Sequence, residues 1–289
     1  MDYTSKIIIL FISITIGCLS GELLAFDNNE IGSMSEQTFL ILEKSLKDYL
    51  DNQSSDQDTG NHRSAVEALI SAYKMYIDKN PENIYARRQL IDMYILIHQY
   101  DEALEEWSEI ISREPDNDSL LNDCGIFYSD HVYRPLEAAM FFKKAISINP
   151  HVADYHANLG LIYFVGRHVI AEQSGWTLPE TFSQILKEYD TARRLDPKNY
   201  LHARDYAQNF VMADTFGVSF DPKQAIQAWK DCLSCDMTPR QFVYVYIQIA
   251  RLSMLIEDKD QAKICLQKAL EYDTNNETAR QLLNQLYSN

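Results

Sequence analysis

Apolar residues along most of the chain recur at the spacing of an α-helix rather than that of a β-strand. One stripe has members at positions i, i+3, i+4 and i+7, namely Arg87, Leu90, Ile91 and Tyr94. A second stripe follows it and consists of Ala103, Trp107 and Ile110. Because such stripes are typical of the buried face of a helix, the segment 84–117 is predicted to form two antiparallel helices.

The same pattern returns at a regular interval. Four prolines each end an apolar-periodic stretch: Pro81, Pro115, Pro150 and Pro197. The first two intervals are 34 and 35 residues long, a period that indicates an internal repeat. Aligned on the prolines, the chain divides into five units, 84–117, 118–152, 153–199, 200–237 and 238–276. A degenerate first unit with a long loop is predicted in 26–83, with its first helix at 36–50, and a capping helix in 277–289.

The same residue types recur at fixed places in the units, and their order resembles that of a known repeat. In the third unit, His156, Leu159, Gly160 and Tyr163 lie on the first helix, and Ile185, Tyr189, Ala192 and Pro197 follow on the second. This order resembles the tetratricopeptide repeat family. The resemblance implies an all-α, right-handed superhelical solenoid of antiparallel helix pairs, with about five to six repeats and a C-terminal capping helix. It also implies that small residues such as Gly160 lie where two helices cross closely.

The N-terminal segment is typical of an export signal. Lys6 precedes an apolar run that is too short to span a bilayer, and 1–25 is therefore predicted to be a signal peptide or lipid-anchor segment. The tripeptide TIG directly precedes Cys18, which resembles the lipobox of bacterial lipoproteins and implies lipidation of Cys18. Two alternatives stay open, namely simple cleavage after Ala25 and an uncleaved N-terminal anchor.

Composition and charge exclude several classes of function. The nine glycines in 289 residues are fewer than all-β or doubly wound α/β folds use in turns and phosphate loops. The formal net charge of -16 repels phosphate backbones, so nucleic acid is not an expected partner. The seven histidines lack the i, i+4 spacing of a helical metal pair, and no Walker, GxSxG or HExxH motif occurs. The sequence therefore predicts a protein without metal, cofactor or enzymatic activity.

Cys232 and Cys235 form a CxxC motif, which elsewhere serves redox chemistry or half of a zinc site. Here the pair falls late in a predicted second helix, where Cys232 takes the small position of the repeat. No second CxxC is present. We therefore expect both cysteines to be packed in the core.

The family resemblance implies a concave surface on the first helices that binds extended peptides or partner helices. The positions expected to bind there are Arg88, Asp92, Asn122, Leu161, Phe164, Arg204, Gln208, Ile247 and Arg251. The last three repeats bring more apolar residues to this face than the earlier ones, which favours an amphipathic segment as the ligand. Arg204 and Arg251 are expected to orient that segment through charge-assisted hydrogen bonds.

Two insertions interrupt the inter-helix turns of adjacent repeats. One spans 166–178 and carries Trp176, and the other spans 214–221 and carries Phe216 and Phe220. Because loops longer than a turn requires are often functional, these aromatic residues are predicted to form one lip of the binding surface. The alternative is that each aromatic side chain covers its own repeat.

Together these features predict a non-catalytic scaffold or adaptor that binds a protein or peptide partner. The N-terminal segment indicates export to the periplasm or outer membrane of a bacterial cell envelope, with membrane attachment if Cys18 is modified. The alternatives are a soluble cytoplasmic adaptor of the same fold and an accessory subunit of an enzyme complex.

Overall fold

The structure, a computed structural model, describes residues 59–288, and this part of the chain is all-α and contains no strand. The predictions for 1–25, Cys18 and the helix at 36–50 concern residues outside the described part. The helices are α1 (Thr59–Lys79), α2 (Ile84–Leu96), α3 (Tyr100–Arg113), α4 (Asp118–Asp130), α5 (Pro135–Ile148), α6 (Ala153–Val165), α7 (Arg167–Ser174), α8 (Leu178–Leu195), α9 (Tyr200–Phe210), α10 (Pro222–Cys232), α11 (Pro239–Leu255), α12 (Lys259–Tyr272) and α13 (Glu277–Ser288). A short 3-10 helix, Ala213–Phe216, follows α9.

Two compact units make up the chain, with the division between Pro115 and Asp116. In the first unit α1 packs on α2, and α2 packs on α3. In the second unit each long helix packs on the next from α4 to α13, while the short helix α7 packs on α5, α6 and α8. The prediction of an all-α fold built from consecutive helix pairs is confirmed.

Proline and asparagine separate the pairs. Pro81, Pro115 and Pro197 lie just after a helix has ended, as the missing amide proton and fixed ring require. Two residues after each of these prolines, an asparagine caps the next helix with its side-chain oxygen: Asn83 accepts from Ala86 N, Asn117 from Leu120 N and Asn199 from Leu201 N. The three-residue element proline-x-asparagine therefore ends one helix and starts the next.

Gly125 and Gly160 in the second unit lie where the two helices of a pair approach each other closely. A Cβ added at Gly125 on α4 would lie 2.6 Å from Phe142 Cε1 on α5. A Cβ added at Gly160 on α6 would lie 3.2 Å from Tyr189 Cδ2 on α8. Each glycine therefore faces an aromatic ring of its partner helix, as the repeat alignment predicted for Gly160.

Two repeats share a buried polar contact at the same place. Arg87 on α2 and His156 on α6 each follow a proline by six residues and bond to that proline's carbonyl, Pro81 O and Pro150 O respectively. Each also pairs with a glutamate of the second helix of its repeat: Arg87 Nη1 lies 2.5 Å from Glu106 Oε2, and His156 Nδ1 lies 2.7 Å from Glu188 Oε2. We call this contact the proline clip. It joins both helices of a repeat to the end of the preceding helix, where a cation is favourable.

The two clips differ in how they respond to pH. Both ring nitrogens of His156 face acceptors, a carboxylate and a backbone carbonyl, so both hydrogen bonds form only when the imidazole is doubly protonated. The hydrogen bond to Glu188 raises the pKa of His156 above the ordinary value of 6.5, against the opposing effect of burial. The other clip is built on an arginine, a type of side chain that is always protonated in proteins.

Adding a methyl group at the close contact between α4 and α5 is expected to destabilise the second unit. Gly125→Ala should lower the free energy of unfolding by roughly 1–3 kcal/mol, because the buried ring of Phe142 has no room to move. Gly160→Ala should cost less because its contact with Tyr189 is looser, whereas the gain of about 1 kcal/mol in helix propensity applies to both substitutions. Urea unfolding measures both changes.

The exposed substitution Gln267→Ala on α12 is the control and should change stability by less than about 0.5 kcal/mol. Equal urea midpoints for Gly125→Ala and Gln267→Ala would contradict the close contact.

The His156 clip is expected to stabilise the fold at low pH and to lose this effect as the pH rises. Since its folded-state pKa is raised, the contribution is complete below about pH 6.5 and disappears as the pH passes the folded-state value. Near pH 6, His156→Gln should therefore cost roughly 1.5–3 kcal/mol of unfolding free energy, and the cost should shrink toward pH 9. Urea unfolding at several pH values tests this.

Arg87→Gln provides the matched control because its clip uses an arginine in place of the histidine. Its cost should stay constant over the same pH range. A cost of His156→Gln that is equally constant would refute the protonated clip.

Candidate functional site

An open cleft of about 480 Å³ lies between α6, α8 and α9 in the second unit. Its lining residues are Leu161 and Phe164 from α6, Tyr189 from α8, Arg204, Asp205, Gln208 and Asn209 from α9, and Met212 just after α9. We call it the Arg204 cleft. The spacing i, i+3 on α6 and i, i+4 on α9 directs these side chains to one side of each helix.

Four of the nine residues predicted for the concave surface meet in this cleft. Leu161 is 47% exposed, Gln208 is exposed, and Phe164 and Arg204 are half-buried. Together they combine an apolar wall on α6 with a polar wall on α9. A surface of this kind fits a segment that has both apolar and polar groups.

The polar wall is dominated by one ion pair. Arg204 Nε and Nη2 donate to the same oxygen, Asp205 Oδ1, at 2.8 and 2.6 Å. Burial opposes the charge of Arg204, but Asp205 and the nearby hydroxyls of Tyr200 and Tyr244 raise the pKa of its guanidinium above the ordinary value. The cleft therefore presents a fixed positive charge beside a carboxylate.

The floor of the cleft is formed by Tyr189, whose ring packs against Gly160. Burial is the main cause that raises the pKa of the Tyr189 phenol, so the hydroxyl is neutral at physiological pH. The floor is consequently uncharged, and the charge of the site is confined to the α9 wall.

The other predicted concave residues lie elsewhere. Ile247 on α11 was predicted to be exposed but is only 6% exposed, because α11 turns this residue into the core formed by α9 to α13. Asn122 on α4 is also buried, and its Oδ1 accepts a hydrogen bond of 2.9 Å from Asn158 Nδ2. Arg251 is exposed on α11 but does not line the cleft.

Arg88 and Asp92 lie on α2 in the first unit, where Arg88 is half-buried and Asp92 is exposed. The Arg204 cleft belongs entirely to the second unit.

The predicted aromatic lip is wrong for Phe216. Its side chain is fully buried, with ring centroids 5.1 Å from Phe182 and 5.9 Å from Phe164. Trp176 is half-buried and makes an edge-to-face contact with Tyr163 at 5.7 Å, and Phe220 packs partly on the core of α9 to α13. Trp176 packs on its own repeat, whereas Phe216 packs on Phe164 and Phe182 of the preceding repeat, because burying an aromatic ring is more favourable than exposing it. Phe216 nonetheless supports the cleft, since it packs behind the wall residue Phe164.

Sequence reasoning missed three lining residues, Tyr189, Asp205 and Asn209, whereas Met212 is among the apolar residues expected near this face in the last three repeats. The repeat pattern assigns Tyr189 to the core. Asn209 directly precedes the buried Phe210, and its own side chain is only 7% exposed. The one signal in the sequence that could have indicated Asn209 is its position. It is a polar residue between Gln208, which is predicted to lie on the concave face, and the core aromatic Phe210.

The described cysteines carry no reactive chemistry. Cys124, Cys232, Cys235 and Cys265 are buried and unpaired by disulfides. Burial raises the pKa of Cys124 and of Cys232 to about 12, so both are thiols at physiological pH. The prediction that Cys232 and Cys235 pack in the core is confirmed.

Two further features are absent from residues 59–288. This stretch holds no group of three or more side chains arranged to bind a metal ion. It also lacks a helix long and apolar enough to cross a membrane.

Comparison with known proteins agrees with the helix-pair architecture. A tetratricopeptide repeat family model matches residues 243–276, which span most of α11 and all of α12. No curated protein sequence matches the chain. Many solved structures share the fold, including the C-terminal part of a tetratricopeptide repeat-containing protein from Cytophaga hutchinsonii, with a TM-score of 0.63, 13% identity and coverage of 98% of this chain and 99% of that one.

Two further solved structures are also similar in fold. PilW, a type IV pilus biogenesis factor, gives a TM-score of 0.51 at 16% identity and covers 86% of this chain and 100% of its own. PilF of Pseudomonas aeruginosa gives a TM-score of 0.50 at 17% identity, and the match covers 86% of this chain and 98% of that one. Identities this low show likeness of fold and not of role. The chain therefore matches the tetratricopeptide repeat model at 243–276, and its helix-pair fold is similar to that of tetratricopeptide repeat proteins.

Proposed function

We propose that the protein is a non-catalytic interaction scaffold that binds a polypeptide segment of a partner in the Arg204 cleft. The observation that carries this proposal is the cleft itself, which combines the exposed Leu161 and the half-buried Phe164 with the charged Arg204 in one accessible space. Tetratricopeptide repeat proteins are generally scaffolds of this kind, and the chemistry of the lining suits binding rather than bond cleavage.

The apolar and polar walls have separate roles in this proposal. Leu161, Phe164 and Met212 exclude water from an apolar side chain of the partner, which supplies most of the binding free energy. Arg204 donates charge-assisted hydrogen bonds to carbonyl or carboxylate oxygens, which set the orientation of the segment. Asp205 holds the guanidinium in place before the partner arrives, so less side-chain entropy is lost on binding.

The side chains that pack behind the walls of the cleft favour a preformed binding site. Phe216 and Phe182 pack behind Phe164. The His156 clip joins α6 to α8, so the helices that carry Leu161 and Tyr189 are fixed relative to each other. A rigid cleft binds more tightly than a mobile one because fewer conformations are lost.

We also propose that the scaffold acts in the bacterial cell envelope, as a protein exported by the segment 1–25. What supports this is the sequence around Cys18 and the apolar run before it. A cytoplasmic adaptor and an accessory subunit of an enzyme complex are the competing roles, and cell fractionation separates the first of these from an envelope protein.

Reversing the charge in the cleft is expected to abolish partner capture. Arg204→Glu should reduce the amount of each specific partner recovered with the full chain at least tenfold, because the new carboxylate repels the oxygens that Arg204 binds. Affinity capture from the native cell extract, quantified by mass spectrometry, measures this. Circular dichroism should show unchanged helicity.

Arg251→Glu is the matched control, since it makes the same charge change at an exposed position on α11 outside the cleft. It should leave capture within about twofold. Normal capture by Arg204→Glu together with loss in Arg251→Glu would place the binding surface on α11 instead.

The envelope role predicts a lipid on Cys18. Cys18→Ser should abolish fatty-acid labelling and move the protein out of the membrane fraction, because the thioether that carries the lipid cannot form on serine. Labelling of Cys18→Ser at the wild-type level would contradict lipidation at this residue. A wild-type protein that is unlabelled and begins after Ala25 by N-terminal sequencing would show simple cleavage instead.

A further inference from the structure

The inserted helix α7 forms a second groove where it packs on α5. The groove has a volume of about 410 Å³ and an apolar lining of Leu136, Ala139 and Met140 from α5 and Ile170 from α7. Met140 is 56% exposed, whereas Ala139 and Ile170 are buried. This groove shares no lining residue with the Arg204 cleft, so it is a separate surface of the second unit.

A cation that lines this groove, Lys143, has no carboxylate partner in the part of the chain that the structure describes. Its Nζ lies instead over the rings of Tyr163 and Trp176, at 5.4 and 6.0 Å from their centroids. The two rings favour this position of the ammonium group and leave its charge unneutralised. We call this surface the Lys143 groove. It differs from the Arg204 cleft, where Asp205 already pairs with the cation.

The Lys143 groove is a locally basic region of an acidic protein. With histidine counted as neutral, α5 and α7 together carry three basic side chains against two acidic ones, whereas the whole chain has a formal net charge of -16. The three basic residues are Lys143, Lys144 and Arg167, and the two acidic ones are Glu137 and Glu172. A carboxylate that most of the surface repels therefore meets an unpaired cation here.

The polar groups of the lining indicate which form of polypeptide fits. Besides Lys143, this lining includes only two polar side chains, Gln173 and Ser174. An extended segment has a free N–H and C=O at every residue, and most of these groups would lose water without gaining a partner. A helix bonds its backbone groups internally and presents only side chains, so the groove between α5 and α7 suits a helix.

The spacing along α5 sets the spacing expected in such a ligand. Lys143 follows Ala139 by four residues, which is about 6 Å along the helix axis at a rise of about 1.5 Å per residue. A helix that lies along α5 with an apolar side chain over Ala139 therefore brings a side chain one turn away to Lys143. The small side chain of Ala139 allows this close approach.

We propose that the Lys143 groove binds an amphipathic helix of a partner protein, with an acidic residue of that helix paired with Lys143. The helix packs an apolar side chain on Ala139, Met140 and Ile170, one turn away from its acidic residue. This second binding surface goes beyond the proposed function, which needs only the Arg204 cleft. Because the two surfaces share no residue, the scaffold can hold two partners at once.

A library of stapled helical peptides tests this proposal. Peptides with a central Leu, Ile, Met or Phe are selected on the full chain, and their Kd is measured by fluorescence polarisation. We expect the selected peptides to carry Asp or Glu three or four residues from the apolar residue. Lys143→Glu should weaken their binding at least tenfold, because two carboxylates then face each other.

Lys144→Glu is the matched control, since it makes the same charge change at the next residue of α5, which is exposed and does not line the groove. It should change the Kd by less than about twofold. Replacing the acidic residue of the peptide by Lys should restore binding to Lys143→Glu. This rescue also shows that the variant is folded.

The other outcomes overturn the proposal in distinguishable ways. Equal weakening by Lys143→Glu and Lys144→Glu would show an effect of net charge without a pair. Peptides that lose binding to Arg204→Glu and keep it with Lys143→Glu would lie in the Arg204 cleft, which refutes the groove and supports the proposed function.

Two further probes exclude other ligands. Linear peptides that depend on Lys143 and carry their acidic residue two positions from the apolar one would replace the helix by an extended segment. Vesicles of phosphatidylglycerol and phosphatidylcholine that bind the wild type and not Lys143→Glu, when no peptide does so, would make the groove a lipid site. If neither peptides nor vesicles depend on Lys143, the proposal fails and the proposed function of the Arg204 cleft is unaffected.

Discussion

The contact between Gly160 on α6 and the ring of Tyr189 on α8 determines how closely these helices pack. Without a side chain at Gly160 the helices approach until the ring lies against the α6 backbone, where even a methyl group would meet it at 3.2 Å. This places Tyr189 beneath Leu161, the next residue of α6, and so creates the floor of the Arg204 cleft. A larger residue at position 160 would separate the helices and change the shape of the site.

Other contacts hold this arrangement in place. The clip of His156 with Glu188 and Pro150 O joins α6 to α8 one turn before Gly160, and Phe216 packs behind Phe164 on the far side of the wall. The inserted segments that interrupt the third and fourth repeats therefore do not contribute an open lip. They fill the core next to the cleft, which is why their aromatic residues are buried or half-buried.

The all-α fold and the helix pairs could be predicted from the sequence because both depend on local signals. Prolines end helices, asparagines cap them, and apolar residues at positions i, i+3, i+4 and i+7 mark the buried stripe, as at Leu90, Ile91 and Tyr94. The spacing of Gly160 in the repeat was enough to predict a close crossing. These rules act over one or two turns and need no knowledge of distant residues.

The details of the site could not be predicted in the same way, because they depend on how far each helix is rotated. A small rotation of α11 decides whether Ile247 is exposed or buried, and periodicity does not fix an angle so finely. The proline clip of His156 joins residues 32 positions apart across an insertion, and the floor of the cleft comes from Tyr189, which the repeat pattern assigns to the core. Asn209 has a local bond to its own helix, so only the three-dimensional structure shows that its oxygen lacks a donor.

The central claim is that a partner lies in the Arg204 cleft, and site-specific photo-crosslinking in cells tests it most directly. A photoreactive phenylalanine analogue would replace the exposed Gln208 in the cleft or, for comparison, the exposed Gln227 on α10. The account predicts a specific crosslinked partner from position 208 that is absent from position 227. A partner that crosslinks equally from both positions, or only from 227, would contradict it.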